Sequence, residues 1–122
     1  MKRIILLFSF IVFSFAVFSQ TSINAFAAQY GTWDGEKWEL YELMEVDIDF
    51  ILDDNLITAY DFAGSSYFTY EVLASDELTV QWKAVDDMLE ECVVVMTVDG
   101  EYQVLIIIYT DILYKYVYTV KS

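Results

Sequence analysis

Asp99-Gly100 stands between two β-branched runs, Cys92-Val-Val-Val-Met-Thr-Val98 before it and Glu101-Tyr-Gln-Val-Leu-Ile-Ile-Ile-Tyr109 after it. An Asp-Gly pair in that setting is the strongest short-range signal for a β-hairpin, because a type I′ turn needs φ > 0 at both central residues. With Asp99 and Gly100 as the loop, Val98 faces Glu101, Met96 faces Gln103, Val94 faces Leu105 and Cys92 faces Ile107. The opposite face carries Thr97 with Tyr102, Val95 with Val104 and Val93 with Ile106. Both faces are apolar away from the turn, whereas a half-exposed sheet shows one polar face. The hairpin is therefore covered on both sides, or it offers an apolar patch for something to bind.

The rest of the chain reads as strands joined by short turns. Trp33-Asp34-Gly35-Glu36 is a second tight turn. From Val46 to Leu52 apolar residues alternate with Asp47 and Asp49, a strand pattern. Residues 36–45 fit either a strand of period two or a short helix with Leu40, Leu43 and Met44 on one stripe; strand is preferred. Asp53-Asp54-Asn55 turns the chain, Leu56 to Phe62 and Tyr67 to Leu73 are strands around Gly64-Ser65, and Leu78, Val80, Trp82 and Ala84 alternate with polar residues. Asp86 to Glu90 is an acidic loop. Thr110-Asp111 then turns the chain into Ile112 to Val120, where Tyr114, Tyr116 and Tyr118 share one face and Leu113, Lys115, Val117 and Thr119 the other.

Short links force antiparallel neighbours, because a parallel crossover needs roughly a dozen residues or more. The expected fold is all-β: an antiparallel up-and-down meander of seven or eight strands. It closes into a small barrel or folds into a sandwich, since no proline guards an edge.

The first residues look like a secretory signal. Lys2 and Arg3 precede an apolar run from Ile4 to Phe18, followed by small-residue cleavage sites after Ser19 and after Ala27. Gln20, Thr21, Ser22 and Asn24 interrupt the run before it reaches the ~20 apolar residues of a membrane span. The expected organisation is a signal peptide over 1–19 (or to 27), a flexible lead-in over 20–30 and one all-β domain over 31–122, in a secreted or periplasmic protein. Removal of the signal takes the formal charge from −14 to −16. So acidic a chain lacks the clustered Lys and Arg that nucleic acids or anionic membranes require.

Trp33 and Trp38, Ile48-Asp49-Phe50, Leu56-Ile57-Thr58-Ala59-Tyr60, Trp82-Lys83-Ala84-Val85-Asp86, Cys92 and Ile108-Tyr109-Thr110-Asp111 through Tyr118 carry a resemblance. In these strand and aromatic patterns the chain resembles short secreted all-β proteins of Gram-negative bacteria that have no assigned function. More broadly the meander is similar to a lipocalin barrel. Gly31-Thr32-Trp33 has the spacing of the lipocalin Gly-x-Trp motif without the residues that support it.

The chain has no histidine, so it can build neither a Ser-His or Cys-His nucleophile pair nor an imidazole metal site. Four glycines leave no room for a phosphate loop. Cys92 is alone and reads as a small buried hydrophobe. Asp47 and Asp49 lie about 7 Å apart on one strand face, which is what a solvated face looks like, and no calcium-loop pattern accompanies them. No metal or cofactor is expected.

Aromatic residues are the better site candidates. Tyr109, Tyr114, Tyr116 and Tyr118 fall on one face with Leu105 and Ile107 if Thr110-Asp111 is a two-residue turn, and Trp82 joins them as a candidate. Such residues are core, or they line a concavity for an apolar or sugar-like ligand. Lys115, opposite Ile106, must reach solvent or an acid, so its face is placed outward and the tyrosine face inward. Val93, Val95, Val104, Ile106 and Ile108 then form an outer aliphatic strip, expected to bind a second copy or another protein. The chain thus reads as a non-enzymatic binding module. The alternatives are a hydrolase using Glu42 or Glu71 as a buried acid, or an acidic inhibitor of a basic protein.

Overall fold

The computed structural model describes residues 20–53, 55–60 and 64–120; the segment read as a signal peptide lies outside the described residues. Among them run nine strands: β1 (Gln20–Trp33), β2 (Trp38–Leu40), β3 (Met44–Asp53), β4 (Leu56–Tyr60), β5 (Ser66–Ser75), β6 (Val80–Asp86), β7 (Glu91–Asp99), β8 (Tyr102–Ile108) and β9 (Ile112–Val120). No described residue is helical. From β3 onward each strand pairs antiparallel with the next, and β9 returns to β1, so eight strands close into a barrel. β2 is the extra strand and pairs only with the end of β1. The meander is thus a closed barrel rather than a sandwich.

One expectation about the early chain is corrected and one ambiguity is resolved. Residues 20–30 are not a flexible lead-in but most of β1, the strand that closes the barrel between β3 and β9. Ala, Ser, Asn and Gln have low strand propensity, yet pairing on both edges overrides it, and Ile23 and Ala25 have no exposed surface. Small side chains also suit the place, because Ala25 lies opposite Tyr118 and Ala28 opposite Tyr116. The strand-or-helix ambiguity of residues 36–45 resolves into β2, an irregular step over residues 41–43, and the start of β3.

Gly31 decides how β2 is held. A Cβ on it would stand 2.8 Å from Leu40 Cδ2 and 2.9 Å from the Glu39 carbonyl oxygen, so β2 approaches β1 as closely as only a glycine permits.

The β7–β8 hairpin forms with a register two residues from the expected one. Asp99 pairs with Tyr102, Val94 with Ile107 and Met96 with Leu105, leaving Gly100-Glu101 as the loop. Gly100 has φ +64° and Glu101 is not among the positive-φ residues, the type II′ pattern with glycine first. A slide that changes each partner by two keeps the faces, so the assignment of side chains to faces is unaffected.

The tyrosine face is the inner one. Val94, Met96, Leu105, Ile107 and Tyr118 join Phe50, Ile57 and Trp82 in the main core, and Tyr109 and Tyr116 pack against it. An eight-stranded barrel has an interior that side chains just fill; here Phe50 meets Tyr116 edge-on at 5.0 Å.

The outer strip does not lie open as expected. Val104 (1 % exposed) and Val95 (8 %) are buried within the single chain, and Val93, Ile106 and Ile108 are half-buried. A bulge explains part of the cover. Ala25 pairs with Tyr118 but Ala27 with Val117, so the extra residue, Phe26, reverses the phase of β1 and turns Ala27 outward onto Val104 and Val117. Lys115 reaches across β8 to Asp99, 2.7 Å away, and its stem covers apolar surface on the way.

Candidate functional site

Three of the barrel's turns are built by aspartates whose side chains accept nearby backbone N–H groups. Asp34 Oδ1 accepts from Glu36 and Lys37, Asp76 Oδ1 from Leu78 and Thr79, and Asp86 Oδ1 from Met88 and Glu90. This is the Asx-turn chemistry that makes Asp a turn residue. The third differs from the others because Asp86 is buried and its second oxygen has a partner inside the barrel mouth. Tyr109 donates its hydroxyl to Asp86 Oδ2 at 2.7 Å.

That bond ties together three elements. Asp86 ends β6, the loop it organises carries Leu89 at φ +65°, and Tyr109 sits just after β8, pairing through its N–H with Ile112 O at 2.7 Å. The two-residue turn expected at Thr110-Asp111 is therefore the one that forms. Burial pushes the Asp86 carboxyl up, but the bonds from Tyr109, Glu90 and Met88 outweigh it, and the net position is below the usual carboxylate range. Burial, and then the bond to Asp86, push the Tyr109 phenol above its ordinary value.

Around this bond the barrel opens. A cavity of about 580 Å³ is walled by Tyr67, Tyr109, Tyr114 and Tyr116, with Asp86, Asp87, Glu90 and Asp111 in its lining and no lysine or arginine among the described residues that line it. The Tyr109 and Tyr114 rings meet edge to face at 90°, with centroids 6.2 Å apart. Tyr116 is steadied by Phe50 below.

Of the five candidate ligand residues, Tyr109, Tyr114 and Tyr116 come together at this mouth. Tyr118 and Trp82 do not; both are buried in the core, Tyr118 at 2 % exposure. The Tyr118 hydroxyl and its cross-strand neighbour's Gln103 Oε1 are buried without a hydrogen-bond partner among the described residues. Sequence reasoning missed Tyr67 and Asp86. For Asp86 a signal existed: the apolar alternation Val80, Trp82, Ala84 lands on it one step later, so it points inward.

The remaining acids are elsewhere. Asn24 Nδ2 donates to Asp47 Oδ1 and Asp49 Oδ1, each at 2.8 Å, on the outer face. Glu42 and Glu71 are exposed. Among the described residues no cluster of three or more His, Cys, Asp or Glu is placed to hold a metal ion. Cys92 is buried, and burial, followed by the charges of Asp86 and Glu90, pushes its thiol up to about 11.

Compared with protein-family profiles, with curated proteins and with solved structures, the chain matches none.

Proposed function

We propose that this chain is a secreted, non-enzymatic barrel that takes a small ligand at its tyrosine-lined mouth. One observation carries the reading: Tyr67, Tyr109, Tyr114 and Tyr116 surround an open cavity of about 580 Å³ at the end of the barrel where the Asp86 and Thr110-Asp111 turns lie. Ligand pockets are concave, roughly 300–1,000 Å³, and lined by aromatics with a few polar groups. Tyrosine offers both a ring face and a hydroxyl, which suits an apolar or hydroxylated molecule.

Export rests on the Lys2-Arg3 start and the apolar run after it. Cleavage after Ser19 leaves β1 whole, whereas cleavage after Ala27 would cut it in two, which favours the earlier site. Outward positions carry Asp47, Asp49 and Lys83 while the interior is apolar, the inverse of a membrane-spanning barrel. That distribution favours a water-exposed barrel over a membrane-bound one.

The absence of catalysis is supported by the carboxylates themselves. A general acid needs a raised pKa, but Asp86 is held low by three donors, and Glu42 and Glu71 are exposed. Docking of a second protein through the aliphatic strip has less support, since Val95 and Val104 are already covered.

The test is an NMR titration with a panel of small aromatic, hydroxylated and charged compounds. The expected result is saturable shifts confined to β5, β9 and the loops around Asp86 and Tyr109, lost in Tyr114→Ala. If no compound moves those resonances at millimolar concentration, or if shifts fall on the outer face, the mouth is not a ligand site.

A further inference from the structure

The mouth is selective in charge as well as shape, and this follows from what its walls are made of. Its aromatic wall includes the Tyr109 and Tyr114 rings, edge to face and 6.2 Å apart. The face of a phenol ring is negative, so a cation within about 6 Å of a ring centroid in the tyrosine-lined cavity is attracted to it. The Tyr109 ring cannot swing away, because its hydroxyl is anchored to Asp86 Oδ2 at 2.7 Å. Its charged lining residues are all acidic, Asp86, Asp87, Glu90 and Asp111, beside Ser65 and the tyrosine hydroxyls, and no basic side chain among the described residues lines it. An anionic ligand would be repelled by a lining whose charged residues are all acidic, and a neutral ligand would leave their field unused. The chain as a whole carries a net −14, which adds to that field at long range.

We propose that the ligand of the tyrosine-lined mouth is a small organic cation bearing an ammonium group, held with its charge beside the Tyr109 and Tyr114 rings and its body against Tyr67 and Tyr116. The inference rests on the reading of the mouth as a ligand site and adds the chemical class. A quaternary ammonium suits the cavity better than a metal ion. It sheds its hydration readily and needs no lone-pair donors, and no described cluster offers the ligand set of a metal. The exposed apolar tip of the Asp86 loop, Met88 at 83 % and Leu89 at 82 %, stands at the rim, where the uncharged part of such a ligand would leave the cavity.

The test compares choline with its neutral isostere 3,3-dimethylbutan-1-ol, which has the same shape without the charge, by calorimetry and NMR on the purified protein. Choline is expected to bind with shifts at Tyr109 and Tyr114, and the neutral alcohol about tenfold more weakly or worse. Choline affinity should fall about fivefold in Tyr114→Leu, which keeps an apolar side chain but loses the ring face, and fall in Asp111→Asn and with added salt. Circular dichroism confirms that each variant is folded; if Tyr114→Leu is not, Tyr114→Phe, which keeps the ring, must retain binding while Asp111→Asn loses it. If the alcohol binds as well as choline, the cation is refuted and the mouth remains a ligand site. If neither binds but other panel compounds do, the cation is again refuted alone. If nothing binds, both readings fall.

Discussion

Tyr109→Phe removes one oxygen and leaves everything else that shapes the mouth. Tyr109 donates to Asp86 Oδ2 at 2.7 Å, and Asp86 is 8 % exposed. A hydrogen bond to a charged group contributes roughly 1.5–3 kcal/mol, and a buried acceptor left without its partner loses a similar amount. Asp86 borders an open cavity, so water reaches its oxygen after the change and the lower end applies, about 1.5 kcal/mol at pH 7. With a urea slope on the order of 1–3 kcal/mol per molar for a chain of this size, the midpoint should fall by close to ~1 M. The pH dependence makes the test specific. The Asp86 carboxyl is held below its ordinary value in the folded state. Its stabilisation is therefore present above the unfolded carboxyl pKa of about 3.9 and is lost as pH falls through the lower folded value. Without the Tyr109 hydroxyl one of the lowering causes goes, so the variant should lose stability at a higher pH than the parent. The difference between the two proteins should shrink as pH falls through the lowered Asp86 value of the parent, because a protonated Asp86 no longer offers a charged acceptor. Urea titrations at pH 7, 5 and 3 measure this. A difference that is absent at pH 7, or that stays constant as pH is lowered until the parent itself unfolds, would refute the assignment of a charge-assisted bond.

Gly31→Ala should cost about 1–3 kcal/mol by overpacking, because the Glu39 carbonyl cannot rotate away as a side chain could; hydrogen exchange should show lost protection in β2 before the rest of the barrel. Tyr118→Phe should leave stability unchanged or raise it by up to ~1 kcal/mol, since the hydroxyl it removes is buried without a partner, and a clear loss in thermal denaturation would show that this oxygen is bonded after all. Cys92, its thiol pushed up to about 11, should react with a disulfide reagent at pH 8 only after urea is added; fast labelling of the native protein would contradict its burial.

What the sequence discloses and what it withholds divides along local and non-local lines. The turn between Tyr109 and Ile112 was legible because Thr110-Asp111 breaks two clear strand patterns. The inward face was legible because Lys115 has to find an acid, and it finds Asp99. The hairpin register was not. Sliding β8 by two residues leaves the same side chains on the same faces, so hydrophobic pattern cannot distinguish the two pairings, and Gly100 serves a I′ turn second or a II′ turn first. β1 was not legible either, since Ser22, Asn24 and Ala28 acquire strand conformation only from partners far along the chain. For the site, three of the four tyrosines share a strand face or its turn and could be grouped in advance. Tyr67 arrives from β5 across the barrel, and no spacing in the sequence announces it.

The seam between β1 and β9 sets an order in time. β1 is the earliest described strand to be made and β9 the last, so β1 keeps its β9 edge unpaired through the making of every strand between, and β8 keeps one edge unpaired until β9 arrives. Pairing distant strands is slow because chain entropy must be lost before any contact is gained, and folds of this kind take milliseconds to seconds. During that interval the β-branched edge of β8 is an adhesive surface, and a second unfinished chain could join it as readily as β9 does. The high negative charge then has a use before the barrel exists: it keeps waiting chains apart until the last strand arrives.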